Sequence, residues 1–114
     1  MRAEEKKLLV DVQEAGRSIR QRCAGHAFEQ YAADRWFRRA VEREFEIIGE
    51  ALNRRDRSAP ATAARVTSLR RIVDFRNRII HGYDAVDDLI VWITDEHHLP
   101  ILLAEVEALL LADL

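Results

Sequence analysis

The sequence predicts an all-α fold. Apolar residues recur at spacings of three and four along most of the chain, which is the period of an amphipathic helix. Only four glycines and two prolines occur in 114 residues, and no stretch alternates apolar and polar residues for the length of a strand. A chain of this length fits one domain. We therefore expect residues 1–114 to form a single up-down bundle of four to five helices.

The first half of the chain predicts two long helices and a short one. The first long helix should run from about Ala3 to Arg22, with a core stripe of Leu8, Val12, Ala15, Ile19 and Cys23. Ala24-Gly25-His26 breaks that pattern, and a short turn of helix is expected over Ala27 to Ala33. Asp34 is placed to cap the long central helix, whose apolar residues are Trp36, Phe37, Ala40, Val41, Phe45, Ile48 and Leu52.

The second half predicts a loop followed by three helices. Asn53 to Ala61 is charged and contains Pro60, so a loop is expected there, and Thr62 is placed to cap the next helix. Another apolar stripe follows at Val86, Leu89, Ile90 and Ile93, with Trp92 beside it in the core or at a dimer interface. His97-His98 predicts a helix junction. Leu99-Pro100 predicts the start of a final helix with the stripe Leu102, Leu103, Val106, Leu109 and Leu110.

The helix that begins near Thr62 carries an arginine in the middle of its apolar stripe. That stripe consists of Val66, Leu69, Ile72, Val73, Phe75, Ile79 and Ile80, and at about 100° per residue Arg76 falls at its centre. A guanidinium keeps its charge and is costly to bury unpaired. Arg76 therefore implies a carboxylate partner, a subunit interface or an anionic ligand, and Glu46 and Glu50 are the candidate carboxylates.

An amide, an imidazole and a phenol follow this arginine closely. Asn77 and His81 are four residues apart, so they lie on one side of the same helix. Gly82 is a natural helix stop, which would leave His81 and Tyr83 at an exposed helix end. The spacing alone also fits an ion-paired arginine and a histidine that interacts with the helix dipole.

The charge of the chain is divided unevenly. Residues 84–114 contain eight acidic residues and no Lys or Arg, so residues 1–83 hold eighteen basic against twelve acidic residues. Sixteen of the basic residues are arginines, whose planar fork suits phosphate recognition. The N-terminus has no signal-like apolar run and the lone Cys23 has no disulfide partner in the chain, so we expect a cytoplasmic protein.

The segment Arg76-Asn77-Arg78-Ile79-Ile80-His81-Gly82-Tyr83 reads as R-x4-H-x-Y. In this it resembles the HepT-like toxins of the HEPN superfamily, which are small all-helical ribonucleases. Residues 46–51, Glu-Ile-Ile-Gly-Glu-Ala, resemble the second-helix segment of that family, and residues 86–92 and 99–100 resemble its C-terminal part. The chain departs from the family at 67–69, where Thr-Ser-Leu stands in place of a usual Pro-Trp pair.

The resemblance implies a HEPN-like homodimer in which the motif helices of two subunits meet. His81 would be the general acid or base of a metal-independent endoribonuclease, Arg76 would stabilise the phosphoryl group, and Asn77 would orient one of them. The resemblance also implies that Tyr83 is AMPylated by a partner nucleotidyltransferase antitoxin of the MNT type, the two forming a HEPN/MNT toxin-antitoxin system. We expect Arg70 and Arg78 to contact the RNA backbone.

The sequence contains no zinc-ligand spacing, glycine-rich phosphate loop or nucleophile elbow. We therefore expect no metal, no cofactor, no DNA partner and no membrane partner. A second class of function stays open, in which the dimer is a non-catalytic binding module or adaptor for a nucleotidyltransferase. An inert helical protein would require the eight-residue match to be chance.

Overall fold

The computed structural model of the protein describes residues 1–58 and 87–114. The described helices are α1 (Ala3–Cys23), α2 (Phe28–Ala33), α3 (Arg35–Ser58), α4 (Asp88–Ile93) and α5 (Leu99–Ala112), and a π-helical turn (Thr94–His98) joins α4 to α5. Every one of these elements is helical, which confirms the all-α fold class. The predicted motif helix falls within 59–86 and lies outside the described residues.

The first helix forms as its apolar pattern predicts. Its buried residues are Leu8, Leu9, Val12, Ala15, Gly16, Ile19 and Cys23. Glu4 and Glu5 lie in its first turn and Arg20 and Arg22 in its last, which is the favourable arrangement of charges along a helix dipole. The predicted break after α1 is confirmed, and Gly25 there has a φ of 78°, a conformation that favours glycine.

The central helix begins as predicted and ends later than predicted. The backbone N–H of Phe37 donates to Asp34 Oδ1 at 3.1 Å, so Asp34 satisfies one of the free donors at the start of α3. The helix then continues through Ser58, and the predicted loop from Asn53 is wrong for residues 53–58. Charged residues with good helix propensity extend a helix into solvent readily, and charge was therefore a poor signal for a loop.

The buried side chains of the acidic C-terminal region form a stripe that includes the acidic residue Asp95. Asp87 caps α4, its Oδ1 accepting from the backbone N–H of Leu89 at 3.0 Å and of Ile90 at 3.4 Å. The predicted helix is confirmed, but its stripe of Leu89, Ile90 and Ile93 does not face the core, because these side chains are between 41% and 49% exposed. Val91 and Trp92 are the buried residues of α4. A buried stripe continues from Trp92 through Asp95, Leu99, Leu102, Val106 and Leu109, at alternating spacings of three and four.

The helices run in alternating directions where their ends can be compared. Arg22 near the end of α1 lies over the ring of Phe37 near the start of α3, at 4.2 Å from the ring centroid. The amino group of Met1 pairs with Asp113 Oδ1 at 3.1 Å, so α1 is also antiparallel to α5. Consequently α3 and α5 run in the same direction.

The core lies where α1 packs on α3 and α5. The largest fully buried side chains include Tyr31, Phe45, Leu9, Ile19 and Ile48. Helices α1 and α5 approach closely at Gly16 of α1: a Cβ added there would lie 2.6 Å from Leu103 Cδ2 of α5. A glycine at this position therefore allows the two backbones to come together.

Candidate functional site

The residues predicted from the sequence to carry the chemistry lie in one segment of the chain. Arg70, Arg76, Asn77, Arg78, His81 and Tyr83 all fall within 59–86. They lie outside the described residues, and their roles stay predictions. The described part of the chain contains the two ends of that segment and the side chains that surround each end.

The segment begins and ends at opposite ends of the bundle. It leaves α3 after Ser58 and reaches α4 at Asp87, which caps that helix. Asp88 Oδ2 lies 3.9 Å from Nε of Arg38, which is in the first turn of α3. A guanidinium N–H of Arg38 also donates to the carbonyl oxygen of Ala32 in α2. Arg38 thus joins three helices at the end of the bundle formed by α2, the first turns of α3 and Asp87–Asp88, which we call the α2 end.

A cluster of aromatic rings fills the α2 end. The ring of Tyr31 lies 5.2 Å from that of Phe37 and 5.4 Å from that of Trp92, measured between centroids. Phe28 and His26 make edge contacts with members of the same cluster. The sequence predicts Trp92 either in the core or at a dimer interface. Its exposure is 7%, so it lies in the core.

Two buried polar groups lie beside these rings. The hydroxyl of Tyr31 has no hydrogen-bond partner within the described part of the chain. The pKa of Tyr31 is raised well above its usual range, mainly by burial and to a smaller extent by the negative charge of Glu42. Burial also raises the pKa of Glu42, against the opposing effect of Arg39, whose Nη1 lies 4.0 Å from Glu42 Oε2. Tyr31 therefore stays a neutral phenol at physiological pH.

Glu46 and Glu50 pair with arginines of their own helix. Arg43 Nη1 donates to Glu46 Oε2 at 3.1 Å, and Arg54 Nη2 lies 3.2 Å from Glu50 Oε1. These are i,i+3 and i,i+4 pairs with substantial exposure, and each contributes little to stability. The pairing of either carboxylate with Arg76 stays a prediction.

A second polar centre lies between α1 and the π-helical turn. Arg20 Nη1 donates to Asp95 Oδ1 and to the Asp95 carbonyl oxygen, both at 3.2 Å. Burial raises the pKa of Asp95 more than its hydrogen bond to Arg20 lowers it. Burial and the nearby Asp95 raise the pKa of Cys23 to about 12. The thiol is therefore protonated and buried, which confirms Cys23 as a small core residue.

The outer face of α3 carries an exposed aromatic residue between arginines. Trp36 is 84% exposed and Ala40 is also exposed, so these two of the apolar residues noted on this helix lie outside the core. Arg39 and Arg43 lie on the same face, with 65% and 67% of their side chains exposed. Helical register was the signal that could have found this surface. At about 100° per residue, Trp36 lies about 140° from the centre of the buried stripe.

The described part of the chain contains neither a metal-binding cluster nor a membrane-spanning helix. Within residues 1–58 and 87–114, no three His, Cys, Asp or Glu side chains are grouped as metal ligands. No helix in those ranges has both the length and the apolar character needed to cross a membrane.

The described elements define the chain as an all-helical protein with exposed arginines on α1 and α3. Comparison with known families gives a narrower class. Residues 12–109 match the family described as ribonuclease HepT-like. The chain therefore belongs to the HepT-like ribonuclease family.

A curated relative supports the same assignment. The chain is 30% identical over 112 residues to the protein named "Probable ribonuclease HepT" of Thermococcus cleftensis, with 96% of this chain and 98% of the relative covered. No solved structure matches the chain at a significant level. The family and the name of this relative both indicate ribonuclease activity.

Proposed function

We propose that this protein is a metal-independent endoribonuclease and the toxin of a toxin-antitoxin pair. The observation that carries the proposal is the family match over residues 12–109, a range that includes every residue of the R-x4-H-x-Y motif. RNA is the substrate, and residues Arg76, Asn77, His81 and Tyr83 form the site.

The proposed reaction uses only side chains of the motif. The ribose 2′-oxygen attacks the adjacent phosphorus, the bond from phosphorus to the 5′-oxygen breaks, and the products are a 2′,3′-cyclic phosphate and a 5′-hydroxyl. A base takes the proton of the 2′-hydroxyl and an acid gives one to the leaving oxygen, which suits an imidazole with an ordinary pKa near 6.5. Arg76 donates to the phosphoryl oxygens as charge develops on them, and Asn77 orients Arg76 or His81.

A homodimer would complete this site. Each chain supplies a single motif histidine, whereas acid and base catalysis in one turnover is served best by two. Two motif helices that meet across a two-fold axis would bring two imidazoles and two guanidinium groups to one cleft. That arrangement also explains an arginine in the centre of an apolar stripe.

The position of the cleft is proposed from the chain distance between Tyr83 and the described residues. Tyr83 is four residues before Asp87 in the sequence, and four residues span at most about 14 Å. We therefore propose that the Tyr83 side of the cleft opens near the α2 end, where Arg38 and Asp88 join α2, α3 and α4. Arg70 and Arg78 are proposed to hold the RNA backbone beside it.

The catalytic proposal is tested by cleavage of RNA in EDTA. We expect wild-type protein to cleave RNA to products with a 2′,3′-cyclic phosphate, and His81→Ala to lose cleavage while its circular dichroism spectrum and oligomeric state stay unchanged. His97 is exposed in the π-helical turn, and His97→Ala is the matched control that should cleave normally. A wild type that cleaves no RNA, or that needs added metal, would remove the mechanism.

Tyr83 is proposed as the site at which a nucleotidyltransferase antitoxin silences the enzyme. Its phenol oxygen would attack the α-phosphorus of ATP and release pyrophosphate, adding bulk and negative charge beside the cleft. The chain has two tyrosines, and Tyr31 is fully buried, so intact mass after coexpression with the antitoxin is easy to interpret. An adenylyl increment that persists in Tyr83→Phe would remove Tyr83 from the proposal.

Expression in cells separates the toxin from the non-catalytic adaptor. Growth arrest that disappears in His81→Ala supports the toxin. Equal growth with both chains, together with tight binding to a nucleotidyltransferase, supports the adaptor.

A further inference from the structure

The exposed tryptophan of α3 is the feature of the described surface that the proposed chemistry leaves unexplained. Trp36 is 84% exposed, whereas the other tryptophan, Trp92, is 7% exposed in the aromatic cluster. Tryptophan is among the side chains that are most buried on average, and water is a poor environment for its large apolar ring. A ligand that covers the indole face would remove that cost.

Arginines surround this indole on one helix face. Trp36, Arg39 and Arg43 follow one another at i, i+3 and i+7, so they lie on the same face of α3. Arg39 and Arg43 reach Glu42 and Glu46 at 4.0 and 3.1 Å, and exposed pairs of this kind are weak enough to exchange one partner for another.

A further arginine, Arg35, immediately precedes Trp36 in the chain, at the start of α3. Arg35 is exposed and makes no ion pair within residues 1–58 and 87–114. The guanidinium of Arg22 lies on the ring of Phe37, the residue after Trp36, and adds a positive charge at the same end of the bundle. A ligand that covers the exposed indole of Trp36 would therefore bind at an end of the bundle that also carries positively charged arginine side chains.

On these observations we propose that Trp36, with Arg35 and Arg39, is a subsite that stacks on one unpaired base of single-stranded RNA. This inference rests on the proposed ribonuclease function and names the form of RNA that it would accept. Aromatic rings that stack on bases, beside cations that contact phosphates, are the usual means of binding single strands. Bases inside a duplex hide their faces, so a paired strand could not use the indole.

The charge of this face favours RNA over a second copy of the chain. The exposed neighbours of Trp36 on α3 are Arg35, Arg39, Ala40 and Arg43. A two-fold axis through this face would bring the arginines of one copy against those of the other, which is unfavourable. A phosphate backbone supplies the opposite charge.

The subsite lies in the first turn of α3, at the α2 end. Trp36 and Arg38 are two residues apart and so lie on different sides of α3; Arg38 faces Asp88, with Nε 3.9 Å from Oδ2, while Trp36 is exposed. Trp36 would therefore act in binding RNA on the outer surface and not in proton transfer.

Tryptophan fluorescence gives a direct test, because the two indoles can be separated. In a Trp92→Phe protein, Trp36 is the sole emitter. Titration with a single-stranded 2′-O-methyl oligonucleotide of about eight nucleotides, which cannot undergo 2′-hydroxyl attack, should quench that emission. In the wild-type background, Trp36→Ala should weaken binding of the same oligonucleotide by about five- to 150-fold, the range expected for one stacked base. Trp36→Phe should retain most of the affinity.

Controls separate stacking from other effects. Leu111 is a large apolar residue that is 58% exposed near the end of α5, and Leu111→Ala should bind as wild type does. A duplex of the same sequence should bind Trp36→Ala and wild type equally. Unchanged affinity of Trp36→Ala for the single strand would overturn the inference. So would loss of a dimer in Trp36→Ala during sedimentation, since the indole would then be a contact between copies.

The subsite and the ribonuclease function can fail separately. If wild type cleaves RNA and Trp36→Ala binds the oligonucleotide normally, the subsite is wrong and the nuclease stands. If wild type cleaves no RNA and yet the single strand quenches Trp36 in the Trp92→Phe protein, the nuclease is wrong and a single-strand binding surface remains.

Discussion

Replacing Gly16 by alanine tests the close packing of α1 on α5. The added methyl carbon would lie 2.6 Å from Leu103 Cδ2 and 3.3 Å from both Leu103 Cγ and Leu99 Cδ1. Carbon atoms in contact prefer about 3.5–4.0 Å, so Leu103 must move or the helices must separate. Such overpacking costs about 1–3 kcal/mol, while alanine gains up to about 1 kcal/mol in helix propensity. The expected net loss is about 1 kcal/mol.

A second substitution, Leu103→Ala, tests whether the loss of stability in Gly16→Ala comes from contact with Leu103. In a Leu103→Ala protein the nearest clash is removed, and Gly16→Ala should then stabilise by about 0.5 kcal/mol through helix propensity. Urea unfolding followed by circular dichroism on the four proteins of this cycle measures both values. If Gly16→Ala stabilises wild type as much as it stabilises Leu103→Ala, the helices do not approach closely at Gly16, and the packing argument is refuted.

Three further predictions concern polar groups. Burial raises the pKa of Asp95 above its ordinary 3.8. The free energy of unfolding of wild type, relative to Asp95→Asn, should therefore fall as pH rises from about 4 through the native pKa of Asp95. A difference between the two proteins that does not change with pH in urea unfolding would contradict this. Cys23, with a pKa of about 12, should react with a thiol reagent at the rate of unfolding, and rapid reaction of folded protein would show an accessible thiolate. Asp87→Ala should cost about 1 kcal/mol through loss of the cap on α4, whereas Asp87→Asn should cost less; equal thermal shifts would argue against capping.

Local patterns predicted the elements that depend on local physics. The stripe of α1, the break at Gly25 and the cap at Asp34 each follow from residues within one or two turns of one another. The final helix after Pro100 follows in the same way. Each of these predictions is confirmed because helix periodicity, backbone freedom and capping are decided by near neighbours.

Residue type alone is a poor guide to burial, because burial depends on the position of a residue on its helix. Asp95 is 1% exposed and occupies a place in the buried stripe of the C-terminal region, and this polar residue hid the stripe from a search for apolar residues. Trp36 is apolar by residue type, although its helical register places it on the outer face of α3. Burial of Asp95 depends on Arg20, which lies 75 residues away in the chain, and no local pattern contains that information.

The candidate site likewise contains some residues that local sequence indicates and others that it does not. The motif at Arg76, His81 and Tyr83 is read from eight consecutive residues and their resemblance to a family, and its roles stay predictions. The buried Tyr31 and Glu42 were not singled out, because their environment forms only when α2, α3 and α4 meet. Neither residue type nor spacing distinguishes them from surface residues.

The contact between Arg20 and Asp95 limits how α1 and the C-terminal helices can be aligned. Leucine and valine side chains tolerate many relative positions of two helices, since one apolar contact can replace another. Sliding α5 by one turn along α1 would keep most of those contacts but would leave a buried carboxylate opposite hydrocarbon. A polar pair with a buried carboxylate thus favours one alignment of these helices, much as a buried polar residue does in a coiled coil.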